Sequence, residues 1–420
     1  MSRNTNYKLF RALLRSVNPP CIPYLGMYLT DLTFIEEGNQ DKLQDGSINF
    51  TKRQRLSEVI AEIQTYQNTP YFLAELSFIR DYLYNVEALP EEQCYKLSQK
   101  REGRRGTAAA DSDLPDLPFG DLEVKSSYLF DKPDLEENIK FDKKEVTYGS
   151  SHSPIMAGTL VKLLERLTYH EYQDMNFLNA FIMTLHTFSN SEEVLGLLDN
   201  RFNMPKPANP SKQQMDKFVS TRLIPVHLRI CNFLKSWITT YPEDFVDQTE
   251  LQAKFYQLMN DWSISNPKIK TTTIGVKTNL EKKLAEELPT PECRFIGFLA
   301  GSEDTPENIE YYKGKGVLDF PEEMLAQQLT LLEQNFFSSI RPRECLCQNW
   351  SDYDELASKA PNILAIRQNF DATRRWAISQ VLEHTELQKQ YSSLTVLVTI
   401  ADVRLKIVLT CRDSLGRRNC

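Results

Sequence analysis

Apolar residues recur at helical spacing along almost the whole of this chain. Leu56, Val59, Ile60, Ile63 and Tyr66 fall on one face of a helix, and so do Leu160, Leu163, Leu164 and Leu167. Phe177, Phe181, Ile182, Leu185 and Phe188 give a third face, and Leu228, Phe233, Leu234, Trp237 and Ile238 a longer, broader one. Leu325, Leu329, Leu332 and Phe336 repeat at i, i+4, i+7 and i+11, and Trp376, Val381 and Leu382 continue the pattern. Isolated helices of such length are marginal in water, so each stripe has to pack against a neighbour. The expected fold class is all-α, built of helical bundles.

Some stretches break the pattern. Residues 99–150 open with the basic run QKREGRR and continue through AAADSDLPDLPFGD, a composition that reads as a linker. Residues 203–216, NMPKPANPSKQQMD, read as an exposed loop between helices. Residues 262–318 mix Pro, Gly and a Lys/Thr-rich stretch, and read as a connector between domains. The end is ambiguous. Residues 391–420 are rich in Val, Ile, Leu and Thr, which favours a strand, yet TVLVTIADVRLKIVL would serve equally as a buried helix.

Composition narrows the possible functions. A chain of 420 residues has room for two or three domains, and 41% hydrophobic with 25% charged residues is the balance of a folded protein. The net charge of -8 argues against nucleic acid, whose phosphates call for a basic face. No apolar run approaches the roughly 18 residues that span a bilayer. The N-terminus, MSRNTNYKLFRALLRSVNPP, has no continuous apolar core of a secretory signal. The expectation is a cytoplasmic protein with no direct membrane anchor. The eight cysteines include no C-x-x-C pair, and Cys345 and Cys347 have no histidine nearby, so they read as free thiols. None of His152, His170, His186, His227 and His384 sits in H-E-x-x-H, and G-x-S-x-G and the phosphate-binding G-x-x-x-x-G-K-[ST] are both missing. Nothing here calls for a metal, a cofactor or covalent chemistry.

The densest signal lies in the first hundred residues. NPPCIPYLGMYLTDLTFIEEGN is followed by INFTKRQRLSEVIAEIQTYQNTPY. Both strings resemble the catalytic domain of Ras guanine-nucleotide exchange factors of the son-of-sevenless type. The shared positions include Pro19, Pro20, Gly26, Thr30, Glu37, Gly38, Asn39, Asn49, Phe50, Lys52, Arg53, Tyr66 and Gln67. YGSSHSPIMAGTLVKLLERLT and NFLNAFIMTLHTFSNSEEVLGLLDNRF are similar to the N-terminal Ras exchanger motif of that family. FPEEMLAQQLTLLEQNFFSSIRPRECLCQNW and APNILAIRQNF resemble the opening helices of the catalytic domain.

The resemblance implies an order of parts. Residues 1–103 would be the C-terminal half of the catalytic domain with its helical hairpin, 104–144 a linker, and 145–265 the exchanger motif. Residues 266–316 would be a connector, 317–403 the N-terminal part of the catalytic domain, and 404–420 an unassigned tail. The two halves then stand in the reverse of the family's order. The core helices between them, with an Asn-Asn-Phe motif, find no counterpart.

The resemblance also implies a mechanism and a partner, a Ras-family small GTPase of Ras or Rap type. In the family the hairpin enters the nucleotide cleft and displaces switch 1. The side chain that occludes the magnesium site aligns with Thr33, and a glutamate that competes for phosphate- and metal-holding groups aligns with Glu37. Tyr7 aligns with a tyrosine that packs on switch 2. Leu29 falls on the hairpin, and Leu364, Gln368 and Asp371 on the helix face that cups switch 2; Asp371 departs from the usual family residue. From the residues alone, Leu29 reads as hairpin packing before partner contact, and Lys52 and Arg53 as a solvated or salt-bridged helix start before a GTPase contact. Membrane recruitment would come through the lipidated GTPase. The alternative is a GTPase-binding scaffold, or an inactive rearranged fragment, without exchange activity.

Overall fold

The computed structural model describes residues 7–85, 88–99, 128–142, 153–207, 210–246, 248–285, 305–352 and 354–410. The first segment carries α1 (Lys8–Ser16), α2 (Leu25–Gly38), the short strand β1 (Ile48–Asn49), α3 (Phe50–Gln67), α4 (Ser77–Asn85) and α5 (Glu91–Gln99). The middle segment begins with strands β2 (Ile139–Phe141) and β3 (Ile155–Gly158). It continues with α6 (Leu160–Leu167), α7 (Met175–Thr184), α8 (Ser191–Phe202), α9 (Lys212–Phe218), α10 (Ile224–Thr240), α11 (Glu243–Val246), α12 (Thr249–Ser265) and α13 (Lys270–Ala285). The last segment holds α14 (Pro306–Tyr312), α15 (Glu322–Ser338), α16 (Leu356–Lys359), α17 (Pro361–Leu382) and α18 (Leu387–Thr410). Among the described residues the protein is all-α apart from one antiparallel sheet in the order β1-β3-β2. No described helix is long and apolar enough to cross a membrane.

Three hydrophobic cores organise these helices. The middle segment has its own, built around Phe181, Leu195, Ile230, Phe233, Trp237, Phe255 and Trp262. A second joins Leu14, Met27, Tyr28, Leu32, Leu56 and Ile60 of the first segment to Phe337, Leu346, Trp350 and Ile363 of the last. A third joins Leu76, Phe78 and Ile79 to Phe320, Leu325, Trp376 and Ile400. The first and last segments therefore share two cores and form one body, although the whole middle segment separates them in sequence.

Side-chain amides complete that union. Residues between α3 and α4 run across α15, and four of their backbone groups bond to its side-chain amides. Gln334 Oε1 accepts from Tyr71 N at 3.0 Å and Gln334 Nε2 donates to Thr69 O at 3.1 Å. Gln328 does the same for Leu76 N and Ala74 O, at 3.1 and 2.7 Å. Gln67 Nε2 donates in return to Phe337 O and Ile340 O, both at 2.9 Å. Buried backbone groups are costly when unpaired, so these amides take the place of a strand ladder.

The structure revises the sequence expectations in four places. Residues 128–142, expected in a linker, pack on the middle segment: Phe130 and Ile139 are buried in its core, and Asp131 pairs with Arg201 at 3.0 Å and Arg222 at 2.8 Å. The rest of that linker and residues 404–420 lie wholly or partly outside the described residues. The expected connector contains α13, which buries Thr273, Val276 and Leu280 and so completes the middle bundle, and α14, whose Tyr312 stacks on Phe78 at 4.8 Å. Composition hid both helices because few large apolar residues mark them. The expected loop at 203–216 ends in α9, started by a reciprocal Ser211–Gln214 capping box. The terminal Val/Ile/Thr-rich stretch is a helix. Val396, Ile400, Val403 and Ile407 lie one helical face apart and pack on the third core, and this packing outweighs β propensity. The opposite side of α18 exposes Tyr391, Leu394, Val398 and Leu405.

Candidate functional site: the α2–α3 hairpin

Helix α2 is held from its inner side. Leu25, Met27, Tyr28 and Leu32 are buried, Tyr28 OH donates to Glu62 Oε1 on α3 at 3.0 Å, and Arg11 on α1 pairs with Asp31 at 2.8 Å. Its C-terminus is closed by Asn39, whose Nδ2 donates to Ile35 O at 2.9 Å. Helix α3 is started by Asn49, whose side chain accepts from Lys52 N at 3.2 Å. Between them the chain reverses through Gly46 at φ 80, a conformation open to glycine. Asp45 braces the turn by accepting from Ser47 N at 3.1 Å and Ser47 Oγ at 2.6 Å.

The base of the hairpin is built into the middle segment. Ile48 pairs with Gly158 and Asn49 with Ala157, so β1 is an edge of the small sheet. Lys140 on β2 bonds Asp45, and the Phe50 ring lies 4.6 Å from that of Phe177. Phe50 is fully buried in the middle segment's core although it starts a hairpin helix.

Lys52 and Arg53 are 2% and 1% exposed, so they are neither solvated nor idle. Lys52 Nζ donates to Glu36 O at 3.1 Å and to Asp41 Oδ1 at 2.9 Å, and lies 2.7 Å from Glu36 Oε2. An ammonium has three N–H donors, and each has a partner here. Arg53 Nη1 lies 2.7 Å from Asp41 Oδ1, while Nη2 donates to Thr187 O at 3.4 Å and the guanidinium sits 5.9 Å from the Phe188 ring centre. Burial pushes the Asp41 carboxyl up, but hydrogen bonding and charge from Lys52 and Arg53 outweigh it and hold it below the usual carboxylate range.

The outer side of α2 is different. Thr33 is half-buried and its hydroxyl donates to Leu29 O at 2.9 Å, which satisfies the donor within the helix. Glu37 is exposed and has no ion-pair or hydrogen-bond partner among the described residues. Phe34 stands beside them, 65% exposed. Sequence reasoning did not single out Phe34. Its signal is register: an aromatic two positions past Leu32, about 200° round the helix from the Leu25–Tyr28–Leu32 face, points away from the core.

The other expected contact residues fall into two groups. Tyr7, Leu29 and Leu364 each pack, partly buried, against the second core, and the Tyr7 ring lies 5.7 Å from Tyr24. Gln368 and Asp371 lie further along the same face of α17, exposed, with Asp371 3.7 Å from Arg374. Leu29 thus packs internally while its carbonyl holds Thr33. Among the described residues no group of three or more His, Cys, Asp or Glu side chains could hold a metal ion.

Fold and site together define a largely helical protein with a hairpin that is rooted at its base in a helical bundle and open on its outer face. Comparison with known proteins agrees. The RasGEF N-terminal motif matches residues 154–258, and the RasGEF domain matches in two pieces, 1–54 and 324–408. Ras guanine nucleotide exchange factor A of Dictyostelium discoideum is 29% identical over 346 residues, covering 78% of this chain and 53% of that protein. Protein son of sevenless of Drosophila melanogaster is 24% identical over 310 residues, covering 67% of this chain and 19% of that protein. Ras guanine nucleotide exchange factor I of Dictyostelium discoideum is 49% identical over 98 residues, 23% of this chain and 12% of that protein. The chain belongs to the Ras guanine-nucleotide exchange factor family, with its catalytic domain split into two segments. It spans about half the length of the first of these relatives.

Proposed function

We propose that this protein accelerates GDP release from a Ras-family small GTPase by inserting α2 between the switches. The observation that carries the reading is the asymmetry of the hairpin. Its inner face and base are fixed by core packing and ion pairs, while Phe34 and Glu37 face solvent beside the half-buried Thr33. Exchange makes and breaks no covalent bond. It requires that the hairpin bind the nucleotide-free GTPase more tightly than the loaded one, and every 1.4 kcal/mol of that difference gives about tenfold in nucleotide affinity. A rigid hairpin lowers the ordering cost of that contact.

Each residue then has a role. Glu37, an acceptor with both oxygens open, competes for the donors that hold phosphate and metal. Thr33, with its hydroxyl turned to Leu29 O, offers its methyl group to the metal position. Tyr7, Leu29 and Leu364 supply an apolar rim for switch 2, with Gln368 and Asp371 beyond it. The protein acts in the cytoplasm and meets membranes through the lipidated GTPase.

The test is release of fluorescent GDP from a panel of Ras- and Rap-type GTPases. Acceleration on at least one of them is expected, and a fall of at least tenfold in Glu37→Ala with unchanged circular dichroism. Binding without acceleration on every GTPase, or acceleration indifferent to Glu37→Ala, would reject the reading. The panel also assigns the Ras or Rap preference.

A further inference from the structure

We infer that Glu36, the neighbour of Glu37, is a positioning residue: a strut that sets the tilt of the hairpin by tying the end of α2 to the last segment of the chain. This rests on the exchange reading above and deepens it. Adjacent residues on a helix point about 100° apart, so two neighbouring carboxylates cannot serve the same surface. Glu37 faces out. Glu36 faces in, and its side chain is 10% exposed.

Its two oxygens reach different segments of the chain. Glu36 Oε2 lies 2.7 Å from Lys52 Nζ, which binds α2 to α3 within the hairpin. Glu36 Oε1 accepts from Cys347 N at 3.1 Å, a bond across more than three hundred residues of sequence. That N–H is presented by an unusual backbone. Cys347 and Gln348 both hold left-handed conformations, at φ 52 and 51, and neither is glycine. Such residues persist where the surroundings over-determine them. Here Cys345, Leu346 and Trp350 bury the loop on either side in the same core as α2. Glu344 fixes it further by accepting from Asn362 N at 2.8 Å and Ile363 N at 3.1 Å at the start of α17. A strained, anchored loop thus aims one N–H at one carboxylate. Without it, the end of α2 that carries Thr33 and Glu37 keeps its apolar packing against the last segment through Leu32 and Ile35 but loses this polar tie to it.

The variants separate the two bonds. Glu36→Gln keeps an acceptor for Cys347 N–H and loses the ion pair, whereas Glu36→Ala loses both. In Glu36→Ala, amide hydrogen exchange over residues 33–38 is expected to rise about tenfold, with no change over 160–240. The kcat for GDP release is expected to fall about tenfold, with KM for the GTPase within twofold. Glu36→Gln should recover most of both. Wild-type hydrogen exchange and kcat in Glu36→Ala, or equal impairment of the two variants, would overturn the strut. Where Glu36→Ala does not fold, Glu36→Asp carries the test, since it keeps the charge but is one methylene too short for Cys347. It should show the same rise, and wild-type exchange over 33–38 would overturn the proposal. A wild-type protein that releases no GDP rejects the function proposed above, and the hydrogen-exchange arm then decides the strut alone.

Discussion

His227 lies in the core of the middle segment, where its ring stacks on Phe202 at 3.7 Å between centroids. Nε2 is 2.9 Å from Phe202 O, and Asn266 Nδ2 is 3.0 Å from Nδ1. The neutral ring that donates from Nε2 and accepts at Nδ1 satisfies both contacts; a second proton would face the Asn266 amide. Burial lowers the pKa to about 4. The unfolded imidazole titrates near 6.5, so between those values the unfolded chain binds more protons. The stability tied to a neutral His227 is therefore present above about pH 6.5 and lost as the pH falls to about 4, in total about 3 kcal/mol. Urea unfolding at pH 7, 6 and 5 should show the decline, and His227→Gln should flatten it; an equal slope in both proteins would contradict the assignment. The other individual roles were unequally readable. The Glu36-Glu37 pair is visible in sequence, and so are Lys52 and Arg53. Which carboxylate meets a cation and which meets water depends on the rotation of α2, and that depends on what packs beneath it.

At the scale of elements, the run between α3 and α4 depends on two glutamines of α15. Replacing Gln334 with Leu would leave Tyr71 N–H and Thr69 C=O buried without those bonds, and should cost about 2–3 kcal/mol. Gln328→Leu acts on Leu76 and Ala74 instead and should cost a similar amount. The pairs share no partner, so the double variant should lose nearly the sum in chemical denaturation. A loss under about 0.5 kcal/mol for either variant would mean that water or a neighbour replaces the amide. Helices with strong apolar stripes, such as α3, α6 and α15, were legible from spacing alone. The strands were not, since they are two to four residues long and β1 finds its partner about a hundred residues away. Nor was α18 settled, because strand and helix differ there only in what the apolar side meets.

For the whole molecule, the decisive feature is that two of three cores are shared by the first and last segments. Residues 1–103 and 104–420 produced as separate chains should therefore co-purify as a folded complex. Chains that elute apart, each with native helicity, would show that the segments fold independently. The exposed apolar side of α18 belongs to this scale too. Tyr391, Leu394, Val398 and Leu405 face solvent.

By itself the sequence determined the helical class, because apolar period acts over a few residues, and its resemblances gave the family and pointed to the hairpin as the candidate site. The tertiary structure alone decided that the separated halves meet, that Phe50 and Arg53 root the hairpin in the middle bundle, and that Glu36 is held while Glu37 stands free. Those outcomes depend on contacts between residues far apart in the chain, and local spacing carries no record of them.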